Sequence, residues 1–155
     1  MKGNSRIIEK LNNLLADELT AINQYIVHSE ICENWKYKHL HEATKKRAID
    51  EMKHAERLIA RIIFLEGMPI VSSLNKIHVG AEVPSQIDND WRAEDVAIKS
   101  YNEGIHLAVE VGDNGTRELM ESILKDEEGH IDWIEAQKDQ LKQMGVENYL
   151  SAQVE

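Results

Sequence analysis

Two short segments of the chain pair a carboxylate with an imidazole at a spacing that suits metal binding. Glu51 and His54 form one pair, and Glu127 and His130 form the other. Residues three apart lie on the same face of an α-helix, so each pair can offer one oxygen and one nitrogen to a single ion. The flanking positions at helical spacing are mostly aliphatic, which places both pairs on core-facing stripes. The sequence therefore predicts two helices that carry metal ligands inward.

The two pairs are separated by an offset of 76 residues, and the same offset aligns other parts of the chain. It pairs Glu18 with Glu94 and Tyr25 with Tyr101. Each lone glutamate lies on an aliphatic stripe of its own. The chain is thus interpreted as two pseudo-repeats whose four helices contribute Glu, Glu-x-x-His, Glu and Glu-x-x-His in order.

A third Glu-x-x-His, formed by Glu103 and His106, serves as a control. The 76-residue offset aligns these residues with Val27 and Glu30, so no matching pair supports them. We interpret this copy as an ordinary helix face.

Four buried carboxylates need compensation, because an isolated charge in a protein interior is strongly destabilising. Two divalent cations would balance four negative charges, and oxygen with imidazole ligation suits iron, manganese or zinc better than copper(I). Iron is favoured because two adjacent ions can each give one electron to dioxygen or peroxide. A metal-free bundle whose inward Glu and His side chains pair with one another is the alternative, and it would leave these groups poorly satisfied. The predicted metal ligands, which are also the catalytic residues, are Glu18, Glu51, His54, Glu94, Glu127 and His130.

Within this set, we expect the two ligands that are each followed by a histidine to bridge the metals. These are Glu51 and Glu127. Glu18 and Glu94 would then be terminal ligands.

The elements that must position these ligands are four long helices. Few prolines and aromatics and abundant Leu, Ile, Ala, Glu and Lys favour an all-α fold in one domain spanning residues 1–155. A lapse of periodicity from Met68 to Val83 predicts a long crossover between the second and third helices, as parallel helices require. The predicted helices run from Asn4 or Ser5 to about Asn34, from about Lys38 to Gly67, from Pro84 or Ser85 to about Val111, and from about Gly115 to Gln143 or Met144. Gly67 is interpreted as a capping glycine, and a short fifth helix is expected within 146–155.

Charge and composition exclude several other classes of protein. A formal net charge of −10 without a basic patch argues against nucleic-acid binding. Cys32 is the only cysteine, which fits a reducing compartment. No apolar run is long enough for a membrane span, and the first residues lack the core of a signal peptide. We expect a cytoplasmic protein without a membrane partner.

Along its whole length the chain resembles the bacterioferritin family. The resemblance is carried by the Leu-x-x-Glu-Leu-x-Ala-Ile-x-Gln-Tyr run over 15–25 and by Asp-Glu-Glu-Gly-His-Ile-Asp-Trp over 126–133. It implies a ferritin-like four-helix bundle with an intrasubunit di-iron site, which oxidises Fe(II) with dioxygen or hydrogen peroxide. It also implies a shell of 24 subunits that stores ferric mineral, and a small ferredoxin as the electron donor for iron release.

The resemblance also assigns roles near the ligands. Met52 has Glu128 as its counterpart in the second repeat, and the rotation of one residue from Glu51 places Met52 on the flank of its helix. Burial at a subunit interface would explain such a methionine, and the resemblance goes further: it implies that Met52 is the axial ligand of a b-type haem shared by two subunits. It also makes Tyr25 the stronger candidate of the two tyrosines for hydrogen bonding a ligand or supplying an electron.

Asp50 and Asp126 adjoin the ligands, where hydrogen bonding to the site or iron entry competes with simple solvation. In some relatives an auxiliary histidine precedes Asp50 by one helical turn, but this chain has Lys46 there.

Other functions stay open at this point. A ferritin-like iron or manganese oxidase or peroxidase that forms no storage cage would use the same ligands. A rubrerythrin-like peroxidase is disfavoured, because one cysteine cannot build its rubredoxin module. A noncatalytic module that only binds haem or iron, and assembly with a sister subunit, are further alternatives.

Overall fold

The computed structural model describes residues 1–155 and contains helices but no strands, which confirms the all-α prediction. No helix combines the length and the hydrophobicity that a membrane span requires. The five helices are α1 (Ser5–Asn34), α2 (Lys38–Phe64), α3 (Val83–Glu110), α4 (Asn114–Met144) and α5 (Val146–Ser151).

The four long helices form a bundle of two hairpins. Helices α1 and α2 pack along each other, as do α3 and α4, and the hairpins meet mainly through α1 and α3, with a smaller contact between α2 and α4. Residues 65–82 form the crossover, and α5 packs on α4. This is the predicted ferritin-like arrangement with a long second connection and a short fifth helix.

Local chemistry fixes most helix ends near their predicted places. The Asn4 side chain accepts a hydrogen bond from Arg6 N at the start of α1, and Asp113 accepts from Thr116 N at the start of α4. Gly145 ends α4 with φ +80°.

The end of α2 differs from the prediction, because the helix stops at Phe64 rather than Gly67. The left-handed residue of the cap is Glu66, with φ +62°, and Gly67 N–H bonds back to Ile62 O at 2.9 Å. Gly67 is needed for space instead, since a Cβ there would lie 2.7 Å from Ile8 Cγ2. Gly67 therefore belongs to the end of α2, as a position of close packing and not as the left-handed cap residue.

The core has apolar clusters at its two ends and a polar layer between them. The larger cluster combines the start of α1 with the end of α2, the later part of α3 and the start of α4, and includes Leu11, Leu58, Tyr101 and Ile123. The smaller cluster includes Cys32, Ile134 and Tyr149 of α5. In each long helix the predicted ligands lie between its contributions to these two clusters.

Candidate metal centre

All six predicted ligands are brought together in the polar layer, and each is at most 9% exposed. Their ligand atoms form two groups whose members lie within 4.8 Å of one another. One group contains Glu18, Glu51, His54 and Glu127, and the other contains Glu51, Glu94, Glu127 and His130. Glu51 and Glu127 therefore belong to both groups, whereas Glu18 and Glu94 each belong to one.

The polar atoms that face the middle of this cluster have no hydrogen-bond partners. His130 Nδ1 lies 2.9 Å from Glu51 Oε1, and His54 Nδ1 lies 3.0 Å from Glu127 Oε1, yet none of these four atoms forms a hydrogen bond of acceptable geometry. Glu18 Oε2 and Glu94 Oε2 are likewise buried and unpartnered. Unsatisfied buried polar atoms are rare in folded proteins, so their convergence here indicates a site built to bind something polar.

The outer atoms of the same side chains are well bonded. Tyr101 Oη donates to Glu18 Oε1 at 2.5 Å, and Tyr25 Oη donates to Glu94 Oε1 at 2.7 Å. Glu18 and Glu94 thus each have one oxygen held by a tyrosine and the other directed into the site.

The two histidines are oriented by aspartates from the opposite helix. His54 Nε2 lies 2.9 Å from Asp126 Oδ2, and His130 Nε2 lies 3.1 Å from Asp50 Oδ2. Each aspartate immediately precedes the Glu-x-x-His of its own helix but contacts the histidine of the other. With the Nε2 hydrogen donated to a carboxylate, Nδ1 is left to face the cluster. Of the two roles open from sequence, the geometry supports contact with the site.

Burial and crowding shift the ionisation of the ligands. Burial, reinforced by the neighbouring Glu51 charge, raises the pKa of Glu18 well above its usual range. Burial and the charge of Glu94 do the same to the pKa of Glu127. Burial alone would lower the pKa of His130, but the carboxylates of Glu51 and Glu94, which lie 2.9 and 3.3 Å from its Nδ1, raise it to about 11. Without cations, the cluster therefore holds protons in their place.

Sequence reasoning missed a second buried polar network beside the first. Asp90 Oδ2 accepts from Arg47 Nη2 at 2.9 Å, and Asp90 Oδ1 accepts from Gln24 Nε2 at 2.9 Å and lies 2.8 Å from His28 Nδ1. His28 Nε2 accepts from the Gly80 N–H of the crossover at 2.9 Å. The available signal was position, because Arg47 and Asp90 each precede a predicted ligand by one helical turn on the same helix face.

Arg47 connects this network to two aromatic side chains. Its guanidinium carbon lies 4.5 Å from the centroid of the Tyr25 ring and 5.5 Å from that of Trp133. Burial would lower the pKa of Arg47, but Asp90, Tyr25 and Glu94 together outweigh it and raise the pKa above its usual range, so the side chain is a cation at every working pH.

Two cavities approach the cluster from opposite sides. One, of about 410 Å³, reaches Glu18, Glu51 and Glu127 from the side of the crossover residues Asn75 and His78. A second, of about 570 Å³, borders residues of α2 and α4 that include Asp50, Asp126, His130 and Trp133. The cluster is buried, but it is not isolated from small solutes.

The remaining predicted residues fall outside the cluster. Glu103 and His106 are exposed, and Glu103 pairs with Lys10 at 3.0 Å, as expected for an ordinary helix face. Met52 is 45% exposed on the outer face of α2, one turn after the exposed Ile49. Lys46 pairs with Asp50 at 3.4 Å and forms no ion pair or hydrogen bond with any of the six ligands.

Comparison with known proteins gives a consistent family assignment. The family model for the ferritin-like domain matches residues 8–144. A bacterioferritin of Brucella melitensis is 39% identical over 149 residues, which cover 96% of this chain and 92% of that protein. Bacterioferritins of Rhodobacter capsulatus (38% identical, covering 96% of this chain and 92% of that protein) and Mycobacterium leprae (39%, covering 96% and 94%) match over the same length.

Proposed function

The chain belongs to the bacterioferritin family of ferritin-like proteins, and on that premise we propose that it stores iron and oxidises Fe(II) to Fe(III) within each subunit. Ferrous iron is the substrate, dioxygen or hydrogen peroxide is the oxidant, and ferric mineral is the stored product. The proposed ligands and catalytic residues are Glu18, Glu51, His54, Glu94, Glu127 and His130.

The observation that supports this proposal best is the set of unpartnered atoms facing one another in the cluster. Two divalent cations would satisfy both Nδ1 atoms and the inward carboxylate oxygens, and their charge would balance the four carboxylates. Once bound, two ferrous ions supply one electron each to the oxidant. The mixed oxygen and nitrogen donor set fits iron, and it also fits manganese and zinc.

The protein's own contribution is to hold this donor set in place before iron arrives. Glu51 and Glu127 belong to both ligand groups, which supports a bridging role for them. Tyr101 and Tyr25 each fix one oxygen of a terminal carboxylate. Asp126 and Asp50 fix the histidine rings and make their Nδ1 atoms better donors.

A b-type haem shared by two subunits is the second cofactor we propose, with Met52 as its axial ligand. The residues of this chain fit a haem, because the Met52 thioether is exposed on the surface of α2 and the exposed Ile49 offers an apolar contact beside it. Thioether sulfur is an established haem ligand. The haem would pass electrons to the mineral for iron release, and a small ferredoxin is the proposed donor.

Assembly into a shell of 24 subunits completes the proposal, in a cytoplasmic setting. Exposed apolar side chains on α2, including Ile63, Phe64 and Met52, support extensive subunit contacts. Identical copies are sufficient for such a shell, and a sister subunit is compatible with it.

The deciding experiment measures the mass and iron content of the native particle together with the rate of ferrous oxidation. We expect a particle of about 24 chains that takes up iron as a ferric mineral and oxidises Fe(II) faster than buffer does.

A monomer or dimer that oxidises iron would instead support a ferritin-like iron or manganese oxidase or peroxidase. The 410 Å³ cavity leading to the carboxylates is the feature that favours this second candidate. A large particle without accelerated oxidation would overturn the enzymatic part.

A further inference from the structure

The buried ion pair of Arg47 and Asp90 connects all four long helices at one level of the bundle. Arg47 extends from α2, and its Nη2 donates to Asp90 Oδ2 of α3 at 2.9 Å. Its guanidinium carbon lies 4.5 Å from the ring centroid of Tyr25 on α1 and 5.5 Å from that of Trp133 on α4. One planar side chain therefore contacts the other three long helices at once.

The residues around this ion pair lie close to the ligands of one group only. Arg47 and Asp90 each precede a ligand by one helical turn, and Trp133 follows a ligand by one turn. In the same order, these ligands are Glu51, Glu94 and His130. Together with Glu127 they form one of the two ligand groups, which we call the second metal position. The first metal position is the other group, formed by Glu18, Glu51, His54 and Glu127.

Tyr25 connects the ion pair directly to a ligand of the second position. Arg47 covers the face of the Tyr25 ring, and the Tyr25 hydroxyl donates to Glu94 Oε1 at 2.7 Å. A desolvated cation over an aromatic ring is an attractive contact, so Arg47 restrains the ring. Glu94 Oε2 has no partner and is the oxygen free for a metal. Arg47 can therefore fix the orientation of Glu94 without touching it.

Asp90 is itself held in place, so the ion pair has a fixed anchor. Its Oδ1 accepts from Gln24 Nε2 at 2.9 Å and lies 2.8 Å from His28 Nδ1, both on α1. His28 Nε2 accepts from the Gly80 N–H at 2.9 Å. The anchor of the pair thus extends through α1 to the backbone of the crossover.

The 76-residue repeat places apolar residues where a second ion pair would stand. It aligns Arg47 with Ile123 and Asp90 with Leu14, and both apolar residues are fully buried in the larger apolar cluster. Leu14 precedes Glu18, a ligand of the first position only, by one helical turn. Apolar residues can often replace a buried ion pair without loss of stability, so stability alone does not account for the pair. The two metal positions therefore have different support, hydrocarbon packing for the first and a buried ion pair for the second.

We propose that Arg47, held by Asp90, is a positioning residue for the second metal position, and that the first position does not depend on it. The proposal rests on the two-metal centre proposed above. The ion pair keeps Tyr25 and Glu94 in the metal-binding arrangement before a metal arrives. The affinities of the two positions can then be changed separately through a residue that binds no metal.

The test is Co(II) binding to the full-length, metal-free protein, followed by visible absorption in variants that keep one position each. Glu18→Gln removes a ligand of the first position only, and Glu94→Gln removes a ligand of the second only. Adding Arg47→Met to Glu18→Gln should lower the Co(II) affinity about tenfold, the lower end of what loss of a partner behind a ligand costs. Adding Arg47→Met to Glu94→Gln should leave the affinity unchanged.

Arg61→Met is the matched control for the loss of a stacked ion pair. Arg61 also extends from α2, pairs with Asp113 at 2.9 Å and lies 4.9 Å from the centroid of the Phe64 ring. It stands near the end of α2 and forms no ion pair or hydrogen bond with a ligand. Arg61→Met should change the Co(II) affinity of neither position.

Arg47→Lys keeps the proposal testable if circular dichroism shows that Arg47→Met does not fold. Lysine retains the positive charge beside Asp90 but lacks the planar group that covers the Tyr25 ring. The second position should again lose affinity while the first does not. If Arg47 acts through Tyr25, adding Arg47→Lys to Tyr25→Phe should weaken the second position no further than the larger single effect.

Three results would overturn the proposal. They are equal weakening of both positions by the Arg47 variants, an unchanged second position, and a loss at the second position that Arg61→Met reproduces. If Glu18→Gln and Glu94→Gln bind no Co(II) even with Arg47 present, the proposed metal centre fails instead.

Discussion

The two halves of the molecule, α1 with α2 and α3 with α4, repeat the same ligand pattern but differ in what surrounds it. To the ligand cluster each half supplies one lone glutamate, one Glu-x-x-His and one tyrosine that hydrogen-bonds a glutamate of the cluster. The first half alone supplies Arg47 beside its tyrosine, and it has the exposed Met52 where the second has Glu128.

This difference separates two kinds of constraint on the chain. The two ions proposed here would need similar donors, which accounts for a ligand set that follows the repeat. The residues that break the repeat face something that one half alone meets, such as the crossover residue Gly80 bonded to His28. Departures from the repeat are therefore the positions at which to look for roles beyond metal binding.

The strongest way to break the symmetric cluster is to remove a carboxylate that belongs to both ligand groups. Glu127→Gln should reduce rapid ferrous oxidation by more than the roughly 10- to 100-fold that loss of an outer hydrogen-bond partner costs. Stopped-flow absorbance of ferric product measures this rate. Glu103→Gln is the matched control, since Glu103 belongs to the exposed Glu-x-x-His. Unchanged initial kinetics in Glu127→Gln would refute the ligand assignment.

The asymmetric methionine gives the next largest effect. Met52→Leu should abolish or alter the visible spectrum of bound haem, because leucine keeps the apolar volume but offers no sulfur. Absorption spectroscopy of the purified particle checks this. Met144→Leu removes a methionine of similar exposure, 46% against 45%, and should leave the spectrum unchanged. An unaltered spectrum in Met52→Leu would place the axial ligand elsewhere.

Asp126 and Asp50 each contact the histidine of the opposite helix, so the metal affinity of the two proposed positions can be lowered one at a time. Asp126→Ala should reduce affinity roughly 10- to 100-fold at the position that includes His54, and Asp50→Ala should do so at the position that includes His130. Titration of metal-free protein with Co(II), followed by its visible absorption, resolves tight from weak binding. Asp132→Ala changes an exposed aspartate of the same helix and should affect neither position. If each variant lowered the metal affinity of both positions equally, the two aspartates would not support the two positions independently.

The smallest expected effect is the pH dependence of the metal-free protein. Glu18 and Glu127 have raised pKa values, so their burial costs stability as pH rises above their usual range. His130, raised from 6.5 to about 11, stabilises fully below 6.5 and progressively less above it. Carboxyls with lowered pKa values, such as Asp90 and Glu94, stabilise the fold throughout this pH range and lose that stabilisation only below about pH 5. Glu18, Glu127 and His130 therefore all destabilise the metal-free fold as pH rises from about 5 to about 9. The melting temperature should fall by several degrees over that range.

Metal binding should change this pH dependence. Cations displace the protons held by the cluster, so the melting temperature of the metal-loaded protein should exceed that of the metal-free protein by a margin that widens with pH. Glu127→Gln removes one raised carboxyl and should flatten the metal-free curve. A metal-free melting temperature that rises from pH 5 to pH 9 would contradict these directions.

The sequence by itself determined the helices and the composition of the cluster. Helical periodicity is a local property, so Glu51 and His54 could be assigned to one inward face without knowledge of their neighbours. The 76-residue repeat then supplied Glu18 and Glu94, which no local motif would have identified. The same repeat rejected Glu103 and His106, which it aligns with Val27 and Glu30, and the structure places both on the surface.

Only the tertiary structure decided which groups meet between helices. Asp126 contacts His54 rather than the histidine of its own helix, Tyr101 contacts Glu18, and Arg47 reaches Asp90 of α3. Helical periodicity specifies the face on which a side chain lies, but not the distance or relative height of the helix it faces. Those are set by the packing of complete helices, and hydrogen bonds depend on them to within a few tenths of an ångström.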